Sequence, residues 1–157
     1  MWRELIQSLA QDNDNAYEFA PAATYFQLER IEQIFGIKLP AALRQLLLET
    51  NGVRQVMFYN EERVPVGQII WDTEAMQRHN RKMRTDPAYH DFYLPLDTLF
   101  FFGSPGTDGV RFAVSINEGK ATETIVVWYA ADDRRVQVAT SLQTFIEDWL
   151  SSKLALD

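Results

Sequence analysis

A chain of 157 residues, 46 % hydrophobic and 24 % charged, has the profile of a single globular domain over 1–157 and excludes a disordered chain. It contains no cysteine, which excludes disulfides, thiolate metal sites and a cysteine nucleophile, and fits a reducing cytoplasm. With 22 acidic against 15 basic residues, the formal charge of −7 argues against a phosphate backbone as the main partner and favours a basic one.

In chain order, Trp2, Leu5, Ile6 and Leu9 recur at helical spacing and predict a first helix with one apolar face. Arg3, Glu4 and Gln7 interrupt that run, unlike a secretory signal, and no later stretch approaches the roughly 20 apolar residues of a membrane span. A cytoplasmic protein with no membrane partner is expected. QDNDNAYEFAPAA reads as a loop. Thr24 and Gln27 have the spacing of a capping box. They start a second helix whose buried stripe is Leu28, Ile31 and Phe35 and whose end is Gly36, in the left-handed conformation. Pro40 suits the first turn of a third helix, with Leu43, Leu46 and Leu47 inward and Gly52 placed to terminate it.

The period then changes. VRQVMFY and VGQIIW, separated by the polar NEERVP, predict paired strands. WDTEAMQRHNRKMR predicts a helix capped by Asp72 or Thr73. LDTLFFFG, GVRFAVSI, ETIVVWYA and RRVQVA, divided by SPGTD, NEGK and ADD, predict an antiparallel meander in which Val110, Phe112, Val114 and Ile116 share a buried face. Leu142, Phe145, Ile146, Trp149, Leu150 and Leu154 predict a closing helix against the sheet. The expected fold class is α+β, a single domain with N-terminal helices and a C-terminal helix packed on a mostly antiparallel β-sheet.

Residues that could carry chemistry are sparse. His79 and His90 match neither the i, i+4 pair of a metal-binding helix nor a zinc signature, so no metal and no cofactor is expected. Ser104, His90 and Asp108 assemble a triad on paper, but the G-x-S-x-G elbow is missing. Gly103, Gly106 and Gly109 lack the Lys-Ser or Lys-Thr of a phosphate cradle and read as a hairpin loop. Glu61-Glu62, Asp132-Asp133 and Glu147-Asp148 would need burial to act as acid and base. Arg78, Arg81, Lys82 and Arg84 read as the solvated face of a helix. None of the aromatics that single-stranded nucleic acid stacks on lies among them, so no nucleic-acid partner is expected.

The run Leu28, Ile31, Glu32, Phe35, Gly36, Leu39, Pro40, followed by LLLETNG, resembles the opening signature of the SUKH superfamily, Smi/Knr-type branch. FFFGSPGTDGVRFAVSI and TIVVWYAADD are similar to that family's strand and turn blocks, and SLQTFIEDWL to its closing helix, so the resemblance spans residues 22 to 154 in matching order. Ala42 and Leu43 stand where the family often has an acidic and an aromatic residue, and Val53 where it often has a second glycine.

The resemblance implies a non-catalytic binding domain. Bacterial members are taken as immunity proteins that neutralise a cognate toxin, often a nuclease, and fungal relatives as regulators of cell-wall synthesis. A nuclease is basic where it grips phosphate, so an acidic inhibitor can be steered onto that surface. Asp12 and Asp14, Glu61 and Glu62, and Asp132 and Asp133 are the acidic partner-binding candidates, and Tyr59 and Tyr129 the aromatic anchors. The alternative is a regulatory scaffold or small-ligand-sensing domain with no toxin partner.

Overall fold

The structure, a computed structural model, describes residues 1–10, 15–154 and 156. Helix α1 (Trp2–Ala10) buries Trp2 and Ile6 at the predicted spacing. Helix α2 (Tyr25–Phe35) begins at the expected capping box, with Thr24 and Gln27 each bonded to the other's backbone N–H, and ends at Gly36, φ +64°. Glu32 then fastens the connection to α3 (Ala41–Glu49). Its Oε2 accepts from Leu39 N at 2.8 Å and its Oε1 from Arg44 at 3.4 Å.

Three sequence expectations need correction. The stretch read as a loop contains strand β1 (Asn15–Phe19), which pairs antiparallel with β2 (Val53–Tyr59). Ala16 to Phe19 are half-buried, and the strand is too short for alternation to stand out beside the polar run before it. The strand after the β2 turn also begins earlier than expected, because β3 (Glu62–Ile70) includes ERVP. Pro65 is tolerated there because the register shifts between Gln55 and Val56, a bulge of the kind in which proline is admitted.

The third concerns Gly52, which is not the cap of α3. Thr50 is the cap, in extended conformation, and Pro40 precedes the first helical residue instead of occupying it. Gly52, φ +102°, is needed because a Cβ would lie 3.0 Å from Asp72 N and 3.1 Å from Ile70 O. The three residues closing α3, Glu49 to Asn51, bind three other segments. Glu49 carboxylate oxygens accept from Trp2 N (3.0 Å) and Arg3 N (3.2 Å), and Thr50 Oγ1 accepts from Ala20 N (2.9 Å). Asn51 N donates to Pro21 O (2.9 Å), and its Oδ1 accepts from Thr73 N (2.9 Å) at the start of α4 (Thr73–Thr85).

Strands β1, β2 and β3 form one antiparallel sheet. Strands β4 (Leu99–Gly103), β5 (Val110–Asn117), β6 (Lys120–Tyr129) and β7 (Arg134–Ala139) form a second, in the predicted meander order. The two meet at β3 and β4, where Trp71 N donates to Phe102 O (2.7 Å) and Ser104 N to Gln68 O (2.8 Å). Gly103 and Gly106 make this meeting possible. A Cβ on Gly103 would fall 1.9 Å from Ile69 O, and one on Gly106 1.8 Å from Val66 O.

Helix α6 (Leu142–Leu150), capped by Ser141, packs Phe145 edge-on against Phe102 and Phe112. Phe101 points to the opposite face, where it meets Trp128 and lies under α4. The short α5 (Pro87–His90) and a 3-10 turn (Leu96–Thr98) follow α4 and lead into β4. The fold is α+β, and three phenylalanines in a row, Phe100 to Phe102, fill the layers on both sides of the second sheet.

Candidate partner-binding surface

Strand register puts three turns at one end of the joined sheets. The β2–β3 turn follows the pair Tyr59 and Glu62, the 104–109 loop joins Gly103 to Val110, and the β6–β7 turn follows Tyr129, which pairs with both Val110 and Arg134. Ala130 N donates to Gly109 O (2.7 Å), which ties the last two together. The antiparallel meeting of β3 with Gly103 and Gly106 aligns the β2–β3 turn with them.

On the β2–β3 hairpin, Tyr59 is 67 % exposed and Glu61 and Glu62 are exposed beside it. The turn closes with Asn60 at φ +50° and Glu61 at φ +66°. Two positive φ values match the twist of a two-residue hairpin, and asparagine tolerates that conformation. Glutamate does not, so Glu61 holds a strained position where glycine is the ordinary residue. Met57, Phe58 and Val64 are also exposed along this hairpin. They were not singled out from the sequence, because an unbroken apolar run does not reveal which residues project beyond the core.

The β6–β7 turn behaves differently. Asp132 is exposed and lies 3.9 Å from Arg134 Nε. Asp133 is bound inside the chain: Oδ1 accepts from Trp128 Nε1 (2.8 Å), Arg135 Nε (3.1 Å) and Arg135 Nη2 (3.0 Å), and Oδ2 accepts from Leu94 N (2.9 Å). Burial pushes its pKa up, but the bonds from Trp128, Leu94 and Arg135 outweigh that and hold it below the ordinary aspartate value. Tyr129 keeps 8 % exposure under the Arg134 guanidinium, 4.2 Å from the ring centre. Of the expected partner-binding residues, Tyr59, Glu61, Glu62 and Asp132 are therefore on the surface, and Tyr129 and Asp133 are structural. Asp12 and Asp14 lie outside the described residues.

A cleft of about 1040 Å³ opens between β1, the start of α2, the Asn51-Gly52 corner and the start of α4. Glu18, Arg30, Arg54, Asp72 and Glu74 give it walls of mixed charge. Arg63 Nε donates to Glu18 Oε2 at 2.8 Å on the hairpin side, and that bond lowers the Glu18 pKa. Mixed walls of this kind suit a polar ligand or a loop of a partner more than an apolar small molecule.

The triad residues serve other ends. Ser104 Oγ accepts from Gly106 N (3.1 Å) and donates to Val110 O (3.3 Å), which braces its own loop. His90 is exposed on α5 and faces Asp91 at 3.4 Å. His79 stacks on Trp71, ring centres 4.2 Å apart. Burial, followed by the Arg111, Arg78 and Lys82 charges, lowers its pKa, with Asp72 acting in the other sense.

In the basic run, Arg78, Arg81 and Lys82 are exposed, but Arg84 is turned inward, against the expectation of a wholly solvated face. It donates to Leu99 O at 3.2 Å, and its guanidinium lies 4.9 Å from the Phe35 ring centre. Among the described residues, no helix is long and apolar enough to cross a membrane, and no group of three or more His, Asp or Glu is arranged to hold a metal ion.

The model of the SMI1 / KNR4 family (SUKH-1) matches residues 22–148, from the β1–α2 connection into α6. No curated protein matches the chain.

Proposed function

The chain belongs to the SMI1 / KNR4 family (SUKH-1), and from that premise we propose that it is a non-catalytic, cytoplasmic protein-binding domain of the immunity type, which covers the basic surface of a cognate toxin. The observation that carries this reading is the exposed row Tyr59, Glu61, Glu62 at a hairpin tip, with Asp132 at the same end of the sheets. A nuclease toxin is positively charged where it binds phosphate, and an acidic protein gains association rate and specificity by meeting it there. Glu61 supports the reading further, since strain at an exposed tip has no evident benefit to the fold.

The test is growth rescue. A basic nuclease domain, sought among the genes that flank this one, is expressed alone and with the chain, first wild type and then with E61K/E62K/D132K. Rescue by the wild type and its loss in the variant, with salt-sensitive binding of the purified pair, is expected. Rescue and affinity that ignore the charge reversal would remove this surface from the account. The mixed-charge cleft supports a second reading, a regulatory domain that senses a polar ligand. Saturable binding of a metabolite that R30A/R54A abolishes is the result that reading requires.

A further inference from the structure

Residues Asp86 to Asp97 read DPAYHDFYLPLD, with three aspartates and neither lysine nor arginine. Within them Phe92 is 80 % and Leu94 68 % exposed, the most exposed large apolar side chains among the described residues of the second half of the chain. An apolar side chain on a slack loop would fold back onto the surface. This loop is pinned on both sides of Leu94.

Leu94 N donates to Asp133 Oδ2 (2.9 Å), and Leu94 O accepts from Arg135 Nη2 (3.0 Å). Arg135 Nη1 adds bonds to Pro95 O (3.2 Å) and Thr98 Oγ1 (3.1 Å), and Tyr93 Oη donates to Ala130 O (2.8 Å). Asp133 and Arg135 are themselves joined at 3.0 Å and braced by Trp128. Every one of these bonds goes to backbone or to the loop's inner side, so they set where the loop lies while leaving Phe92 and Leu94 outward. Behind Leu94 a groove of about 660 Å³ runs between α4 and α5, with Met83, Tyr89, Tyr93 and Leu96 among its lining.

We propose that this loop is the anchor of a docking surface for a protein partner whose apolar residues are flanked by lysine or arginine. The proposal rests on the protein-binding reading above and says where the partner is gripped. A fixed aromatic and a fixed leucine lose little conformational freedom on binding, the economy that makes preorganised anchors effective. Charge selects the occupant. Asp97 lines the groove together with Arg84 and His90, and the exposed Asp91 stands beside it, 3.4 Å from His90. Among the described residues neither aspartate is bridged to a lysine or arginine, since Arg84 is engaged with Leu99 O and Arg135 with Asp133. Anionic lipid would be repelled by the three aspartates, and a second copy would set the same aspartates against a chain of net charge −7.

A random twelve-residue peptide display library panned on the intact protein tests this. Enriched peptides are expected to combine an aromatic or aliphatic residue with neighbouring lysine or arginine, and to bind F92S/L94S and, separately, D91K/D97K at least about tenfold more weakly. Both variants change exposed side chains only, so unchanged thermal midpoints accompany the loss. Peptides that bind F92S/L94S as well as wild type but are lost in E61K/E62K would overturn the loop as anchor and leave protein binding in place. Enriched peptides that are acidic, concentration-dependent dimerisation abolished by F92S/L94S, or no enrichment at all would also overturn it.

Discussion

Asn80 on α4 bonds both backbone groups of Phe101 on β4. Its Nδ2 donates to Phe101 O and its Oδ1 accepts from Phe101 N, each at 2.8 Å. β3 has already turned away into α4 at this level, so the asparagine supplies the bonds a neighbouring strand would make. One helical turn on, Arg84 reaches Leu99 O, two residues along the strand. Four helical residues rise about 6 Å and two strand residues about 6.6 Å, so the two periods match closely enough for both contacts.

Asn80 is fully buried. N80A would leave both Phe101 groups without partners in the interior, and the loss of stability expected is about 2–4 kcal/mol by chemical denaturation. A value under about 1 kcal/mol would show that water or a shifted strand replaces the amide.

Gly106 offers a second test. A Cβ there would lie 1.8 Å from Val66 O, and φ is +93°. G106A is expected to cost at least about 2 kcal/mol through backbone displacement where the two sheets meet. G119A is the control, since Gly119 also has positive φ, at +78°, but has open space around it. The gap between the two variants measures the close approach alone.

Stability should fall with acid in two stages. His79 has a folded-state pKa below the ordinary 6.5, so the unfolded chain binds the proton more readily. Its contribution is complete above 6.5 and is lost as pH drops from there through the folded value. H79Q should flatten this first stage of a plot of thermal midpoint against pH. Glu49 and Asp133 have folded values below 4.5 and 3.8. Their contributions begin to fall near those values and are lost as pH passes through the lower folded ones. A midpoint that rises between pH 7 and 5 would contradict the environment described for His79.

Glu61 separates folding from binding. E61G relieves the left-handed glutamate, offset in part by the greater freedom of glycine in the unfolded chain, so stability should be equal or up to about 1 kcal/mol higher. Partner affinity should fall at the same time. A stabilised variant with full affinity would show that the carboxylate makes no contact.

Much of the architecture was readable from residues alone. The Thr24/Gln27 box, Gly36 and Asp72 mark helix ends through local bonds, and the second-sheet meander is bounded by composition. What escaped depends on distant partners. β1 is a strand because β2 lies beside it, and Gly52 is required by Ile70 and Asp72, not by the helix before it. Similarly, a pair of adjacent aspartates does not disclose that Asp132 faces solvent while Asp133 clasps Trp128, Leu94 and Arg135. Phe92 and Leu94 lay in a segment without periodicity, and only their exposure distinguishes them from core.

The end of α3 has a kinetic corollary. Glu49, Thr50 and Asn51 hold the amides of Trp2 and Arg3, of Ala20, and of Thr73 respectively. Peripheral segments that share one mooring do not come loose independently. In native-state hydrogen exchange the amides of Arg3, Ala20 and Thr73 should therefore open as one cooperative unit, with α3 the last of the group to be released.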